Sequence, residues 1–77
     1  MRTTAMHFDP VESSVVAAIG YDYRKRVLGI EFVSGKLYHY LDVPASVHRD
    51  FMDADSKGGY FNDYILGAYE YESIHEP

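Results

Sequence analysis

The hydrophobic pattern changes period along this chain. Val15, Val16, Ala17, Ala18 and Ile19 form a run rich in β-branched residues that closes at Gly20-Tyr21-Asp22. It is too short and too uniformly apolar for an amphipathic helix, and it predicts a first strand. Leu28, Ile30 and Phe32 then alternate with Gly29, Glu31 and Val33, the period of two that a half-buried strand requires. Ser34-Gly35 marks a hairpin bend, because glycine takes positive φ without steric cost, and Leu37-Tyr38-His39-Tyr40-Leu41 supplies a third strand. Past Pro44 the spacing becomes helical. Pro44 suits a first helical turn, and Val47, Phe51 and Ala54 give one stripe over Pro44 to Ala54. Ser56 is the expected N-cap of a second helix, with Phe61, Ile65 and Ala68 as its stripe and an end between Gly67 and Tyr69.

The fold class that follows is α+β: a three-stranded antiparallel β-meander followed by two short α-helices packed on one face. Residues 1–12 read as an N-terminal leader, loose through Asp9-Pro10, residues 13–70 as the domain, and residues 71–77 as a frayed or partly extended C-terminal tail. The length of the Ser34-Gly35 bend decides which way the tyrosines point. A three-residue loop sets Phe32 opposite Tyr38 and puts Tyr38 and Tyr40 on the core face with Leu28 and Ile30. A two-residue loop buries Leu37, His39 and Leu41 instead. The first is favoured, since it sends Glu31, Lys36 and His39 to water and buries more aromatic area.

Seventy-seven residues allow one core and no more. Cysteine is absent, so no disulfide framework or thiolate metal site is expected, and a reducing, cytoplasmic setting is. The N-terminus carries no apolar signal region and no stretch nears the length of a membrane span, so neither secretion nor membrane insertion is expected. The net charge of −5 and pI near 5.1 restrict nucleic-acid affinity to a local basic patch. Arg24-Lys25-Arg26 holds three of the seven basic residues; its ordinary reading is a solvated turn, its functional one a phosphate contact.

Catalysis is not expected, because no serine sits in a glycine-elbow motif and there is no thiol. His7, His39, His48 and His75 include no pair spaced for zinc on one helix face, so no metal and no cofactor is expected. Asp53 to Gly58 begins like a calcium loop but has Lys57 at its fifth position and Tyr64 where a bidentate glutamate belongs. It reads better as helix capping with a weak anion nest at Ser56 to Gly59. Eight tyrosines cannot all be buried, and exposed ones suit protein interfaces and base stacking alike.

Taken together, these residues resemble the KTSC domain, named for the C-terminal end of some lysyl-tRNA synthetases and found also as a small stand-alone bacterial or phage protein. The resemblance runs from Ser13 to Tyr69: Ser13-Ser14 with Ile19-Gly20-Tyr21, Leu28-x-Ile30-x-Phe32 with Gly35, Tyr38-His39-Tyr40, Val43-Pro44, and Ser56-x-Gly58-x-Tyr60-Phe61-Asn62 before Ile65. What it implies is at most RNA binding, with Tyr38 and Tyr40 and the Ser56, Gly58, Tyr60, Phe61 and Asn62 group as positions of interest. Where the family pattern has basic residues, this chain has Gly59 and Leu66.

The expected role is a small non-catalytic binding module. In the RNA reading, Arg24, Lys25, Arg26 and Lys57 touch phosphates while exposed tyrosines stack on bases. The alternatives are a protein-interaction or self-association module, including a homodimer through a sheet edge or tyrosine-rich surface, and a small anion or nucleotide binder at the second helix's N-terminus. The candidate binding residues are Arg24, Lys25, Arg26, Tyr38 and Tyr40, with Ser56, Lys57, Gly58, Tyr60 and Asn62.

Overall fold

The apolar rows of the central strands come together in a single five-stranded antiparallel sheet ordered β1-β2-β3-β4-β5. The computed structural model describes residues 6–74. The strands are β1 (Phe8–Pro10), β2 (Val16–Asp22), β3 (Val27–Phe32), β4 (Leu37–Tyr40) and β5 (Tyr71–Ile74), with both helices inserted between β4 and β5. Three strands were expected. The two further strands come from segments read as leader and tail: Phe8 pairs with Gly20, and Tyr71 pairs with Tyr40. Each is short and lies at an edge, so its own sequence period is too brief to announce it. Residues 1–5 and 75–77 of those two segments lie outside the described residues.

The two hairpin bends differ in how they close. Between β2 and β3, the Asp22 carboxylate accepts the backbone N–H groups of Arg24 and Lys25 at 3.0 and 3.1 Å, and Arg26 closes the turn at φ 58°. Between β3 and β4, the loop is Val33-Ser34-Gly35, with Gly35 at φ 97°. The Phe32 N–H donates to the Lys36 carbonyl at 2.8 Å, so Phe32 faces Lys36 and not the expected Tyr38. Ile30 is the residue opposite Tyr38, and Leu28 the one opposite Tyr40. The loop has the expected three residues, so the parity holds and Tyr38 and Tyr40 share a face with Leu28 and Ile30.

A bulge between Val16 and Ala18 corrects the phase of β2. One extra residue there turns Val16 onto the same side as Ile19, where strict alternation would have exposed it. Both are fully buried.

Helix α1 (Ala45–Asp53) starts directly after Pro44, and its stripe buries Phe51 completely. Helix α2 (Lys57–Tyr60) is a single turn capped by Ser56, whose Oγ accepts the Gly59 N–H at 3.0 Å, and it runs on as a π-helical turn, Phe61–Ile65. This second helix ends before the expected limit of Gly67 to Tyr69, and Ala68 is exposed. The Leu66 N–H reaches back five residues to the Phe61 carbonyl at 2.8 Å, after which Leu66 is extended and the chain departs toward β5. Phe51, Phe61 and Ile65 cover the sheet face made by Val16, Ile19, Leu28, Ile30 and Tyr40, and this is the core.

The opposite face is flat. Gly20 and Gly29 lie side by side across β2 and β3, and Met6 and Phe8 cross over them. A Cβ on Gly20 would stand 2.7 Å from the His7 carbonyl oxygen, so glycine there allows the backbone preceding β1 to pass. No helix among the described residues is long and apolar enough to cross a membrane.

Candidate functional site

Because β4 lies between β3 and β5, its inward tyrosines stand among rings from three other segments. Tyr38 and Tyr71 meet edge to face at 5.4 Å, Phe32 and Phe61 at 5.2 Å, and Tyr40 and Phe61 at 5.7 Å. These five rings border a groove of about 490 Å³ that opens toward the β3–β4 bend, with Val15, Val33 and Leu66 on its outer walls. Tyr71, Leu66 and Val33 are each more than half exposed, so the groove presents its apolar surface to solvent. Tyr40 lies deeper: burial pushes its phenol pKa up, and Tyr71 and Tyr38 push in the same direction. It therefore stays protonated through the physiological range. Lys36 is the cation at this end.

Ser14, Val15 and Phe61 also border a second hollow of about 470 Å³, which continues the first along the start of α2. Its walls are polar: Glu12 and Asp55 supply carboxylates, Lys57 an ammonium and Asn62 an amide. The sequence shapes this end through close approach. A Cβ on Gly58 would come within 3.3 Å of Val15 Cγ2, so glycine lets the first turn of α2 press against the entry of β2. Ser13 holds that entry, its Oγ accepting the N–H groups of Val15 and Val16 at 3.0 and 3.1 Å. The two hollows together form one groove, aromatic at one end and polar at the other.

The expected site residues divide. Tyr38, Tyr40, Ser56, Lys57, Gly58 and Asn62 all border this groove. Two of them are also engaged within the fold: the Ser56 hydroxyl caps α2, and Lys57 Nζ donates to the Ala54 carbonyl beyond α1. Tyr60 faces away from the groove, stacked on Phe51 at 5.5 Å, and joins α2 to α1. Arg24, Lys25 and Arg26 lie at the opposite end of the β2–β3 hairpin from the β3–β4 bend. Arg26 is drawn into the fold there, its carbonyl accepting the Val43 N–H at 2.9 Å and its Nε lying 3.5 Å from Asp42 Oδ1. One ligand small enough for the groove cannot also lie on that turn. Residues that border the groove without having been singled out include Val15, Phe32, Lys36, Leu66 and Tyr71. Of these, Phe32 carried a signal, since it shares the alternation of Leu28 and Ile30.

A second aromatic group lies near the basic turn. Tyr21 stacks on His48 with centroids 4.8 Å apart and 8° between planes, and its hydroxyl donates to the Val43 carbonyl. Burial raises the Tyr21 pKa, with Arg26 opposing and Tyr23, Asp22 and Asp42 reinforcing. His48 Nδ1 is buried without a hydrogen-bond partner, and burial lowers that ring's pKa, Asp9 pulling it up and Arg49 pushing it down.

Comparison with known proteins places these features in a family. Residues 12–69 match the KTSC domain. A lysine–tRNA ligase from Nostoc punctiforme is 41% identical over 63 residues, which make up 82% of this chain and 11% of the ligase. This chain therefore spans about a tenth of the length of such ligases. A protein from Tsukamurella paurometabola is 39% identical over 56 residues, 73% of this chain and 84% of that protein. The crystal structure of a KTSC domain protein from Yersinia pestis superposes with a TM-score of 0.89 at 42% identity, covering 92% of this chain and all of that one.

Proposed function

Because the chain belongs to the KTSC domain family, we propose that it is a non-catalytic recognition domain that binds single-stranded RNA along the groove beside the second helix. The observation that carries this reading is the aromatic end of the groove, where half-buried Phe32 and Tyr38 lie within reach of one another and of the exposed ring of Tyr71. Stacking of a base on such a ring contributes ~1–3 kcal/mol and tolerates any sequence. Lys36 at one end and Lys57 at the other stand where a phosphate backbone would leave the groove. The names of several relatives, lysine–tRNA ligases, supply RNA as the ligand class.

Fluorescence anisotropy with a short labelled single-stranded RNA tests the reading. Tyr71→Ala removes an exposed ring and is expected to weaken binding about tenfold, the equivalent of ~1.4 kcal/mol. With two lysines and a net charge of −5, the salt dependence is expected to be shallow, a slope of about −1.4 for two phosphates. Absence of binding at low salt, or binding that survives Tyr71→Ala and is lost on charge reversal of Arg24, Lys25 and Arg26, would refute it. The carboxylates of Glu12 and Asp55 at the polar end favour a second reading, a groove for an extended segment of a protein partner. Under that reading RNA leaves the groove resonances of the protein unmoved while the partner shifts them.

A further inference from the structure

On the outer side of the helices, away from the groove, lies an open hollow of about 610 Å³ that shares no wall with it. We propose that this hollow, walled by Tyr60, Tyr64 and Tyr69 and rimmed by Asp50 and Asp53, receives the guanidinium of an arginine side chain on a protein partner. The walls come from three places in the chain. Asp50 and Asp53 are three residues apart on α1 and so lie on one face of it. Tyr60 and Tyr64 are four apart where α2 passes into its π-helical turn, with ring centroids 4.7 Å apart, and Tyr69 follows that turn.

Three features select the occupant. Aromatic rings attract cations through their negative faces, and guanidinium does this while lying flat against a ring. The two carboxylates are in no ion pair with a cation among the described residues, and guanidinium is the cation whose paired N–H groups match a carboxylate. The Tyr60 phenol is pushed up by burial first and then by Asp50, Tyr69 and Tyr64, so it stays neutral, and its oxygen is an acceptor for a guanidinium N–H. The net charge of −5 adds attraction for a basic partner at longer range. An exposed ion pair alone contributes little, so the arginine acts as one anchor of a wider contact and not as a free metabolite.

Nuclear magnetic resonance of the intact chain provides the test, with a blocked peptide, acetyl-Ser-Gly-Arg-Gly-Ser-amide, as the probe. Two controls replace its arginine by citrulline, which has the same shape without the charge, and by lysine. Saturable shifts through the millimolar range at Asp50, Asp53, Tyr60, Tyr64 and Tyr69, about tenfold weaker with either control, are the expected result. Asp50→Asn with Asp53→Asn alters only exposed groups and should abolish these shifts while leaving the remaining spectrum in place. Tyr64→Ala, also at an exposed position, should weaken them. Equal binding of the citrulline peptide, equal binding of the lysine peptide, or shifts confined to the groove would each overturn the assignment. So would no shift at all.

Discussion

Single residues here act through what they exclude. The Cβ that Gly20 lacks would collide with backbone, the His7 carbonyl at 2.7 Å, and not with a side chain free to rotate away. Gly20→Ala is therefore expected to lower stability by about 1–3 kcal/mol, read as a reduced urea midpoint with unchanged slope. His48 excludes a proton. Its ring lies against Tyr21 and its Nδ1 is buried and unpartnered, so the charged form is disfavoured and the folded-state pKa lies below the unfolded value. The unfolded chain then binds more protons as the pH drops. The contribution to stability is fully present above about pH 6.5 and is lost as the pH falls through the depressed folded value. Urea midpoints measured downward from neutral pH should decline, and His48→Phe, which keeps a ring against Tyr21, should remove that part of the decline. An identical decline in the variant would assign it to the carboxylates. Of the residues that border the groove, Ser56, Gly58, Tyr38 and Tyr40 are legible one by one in the sequence, because cap, glycine and alternation are local signals, whereas Asn62 enters only through the family resemblance. Such signals do not identify Val15 or Tyr71, whose places depend on a bulge and on an edge strand.

At the scale of elements, β5 decides both the sheet and the groove. Its Tyr71 supplies an exposed ring beside Tyr38, and its pairing satisfies the outer edge of β4. Between the two partners, the Leu41 N–H also donates to the Glu70 carbonyl at 2.8 Å. A chain ending at Tyr69 is expected to retain β2, β3 and the helices but to expose the row of unpaired groups on β4. Its melting temperature should fall, and light scattering should show association that grows with concentration. Unchanged melting would mean that β5 contributes no stability. The π-helical turn has a comparable effect on the helix side. By ending the second helix at Ile65, it releases Leu66 to the groove and Tyr69 to the hollow on the outer side.

For the whole molecule, charge and shape single out different places. The basic turn, the aromatic groove and the tyrosine–aspartate hollow are three separate surfaces, so the proposed RNA strand and the proposed arginine-bearing partner would not compete for one place. What the sequence determined by itself was local in origin: the apolar run of β2, the alternation of β3, the parity of the Ser34-Gly35 bend, the stripes carrying Phe51, Phe61 and Ile65, and the family resemblance those motifs bear. Tertiary structure alone decided the rest. Phe8–Pro10 and Tyr71–Ile74 are extended because a neighbouring strand offers them hydrogen bonds, the Val16 bulge exists because the core needs that side chain, and the groove exists because β5 returns to β4 across the helices. Backbone pairing and burial against distant residues leave no periodic trace in a segment of three or four amino acids, and that is why these features become visible only when the chain is folded.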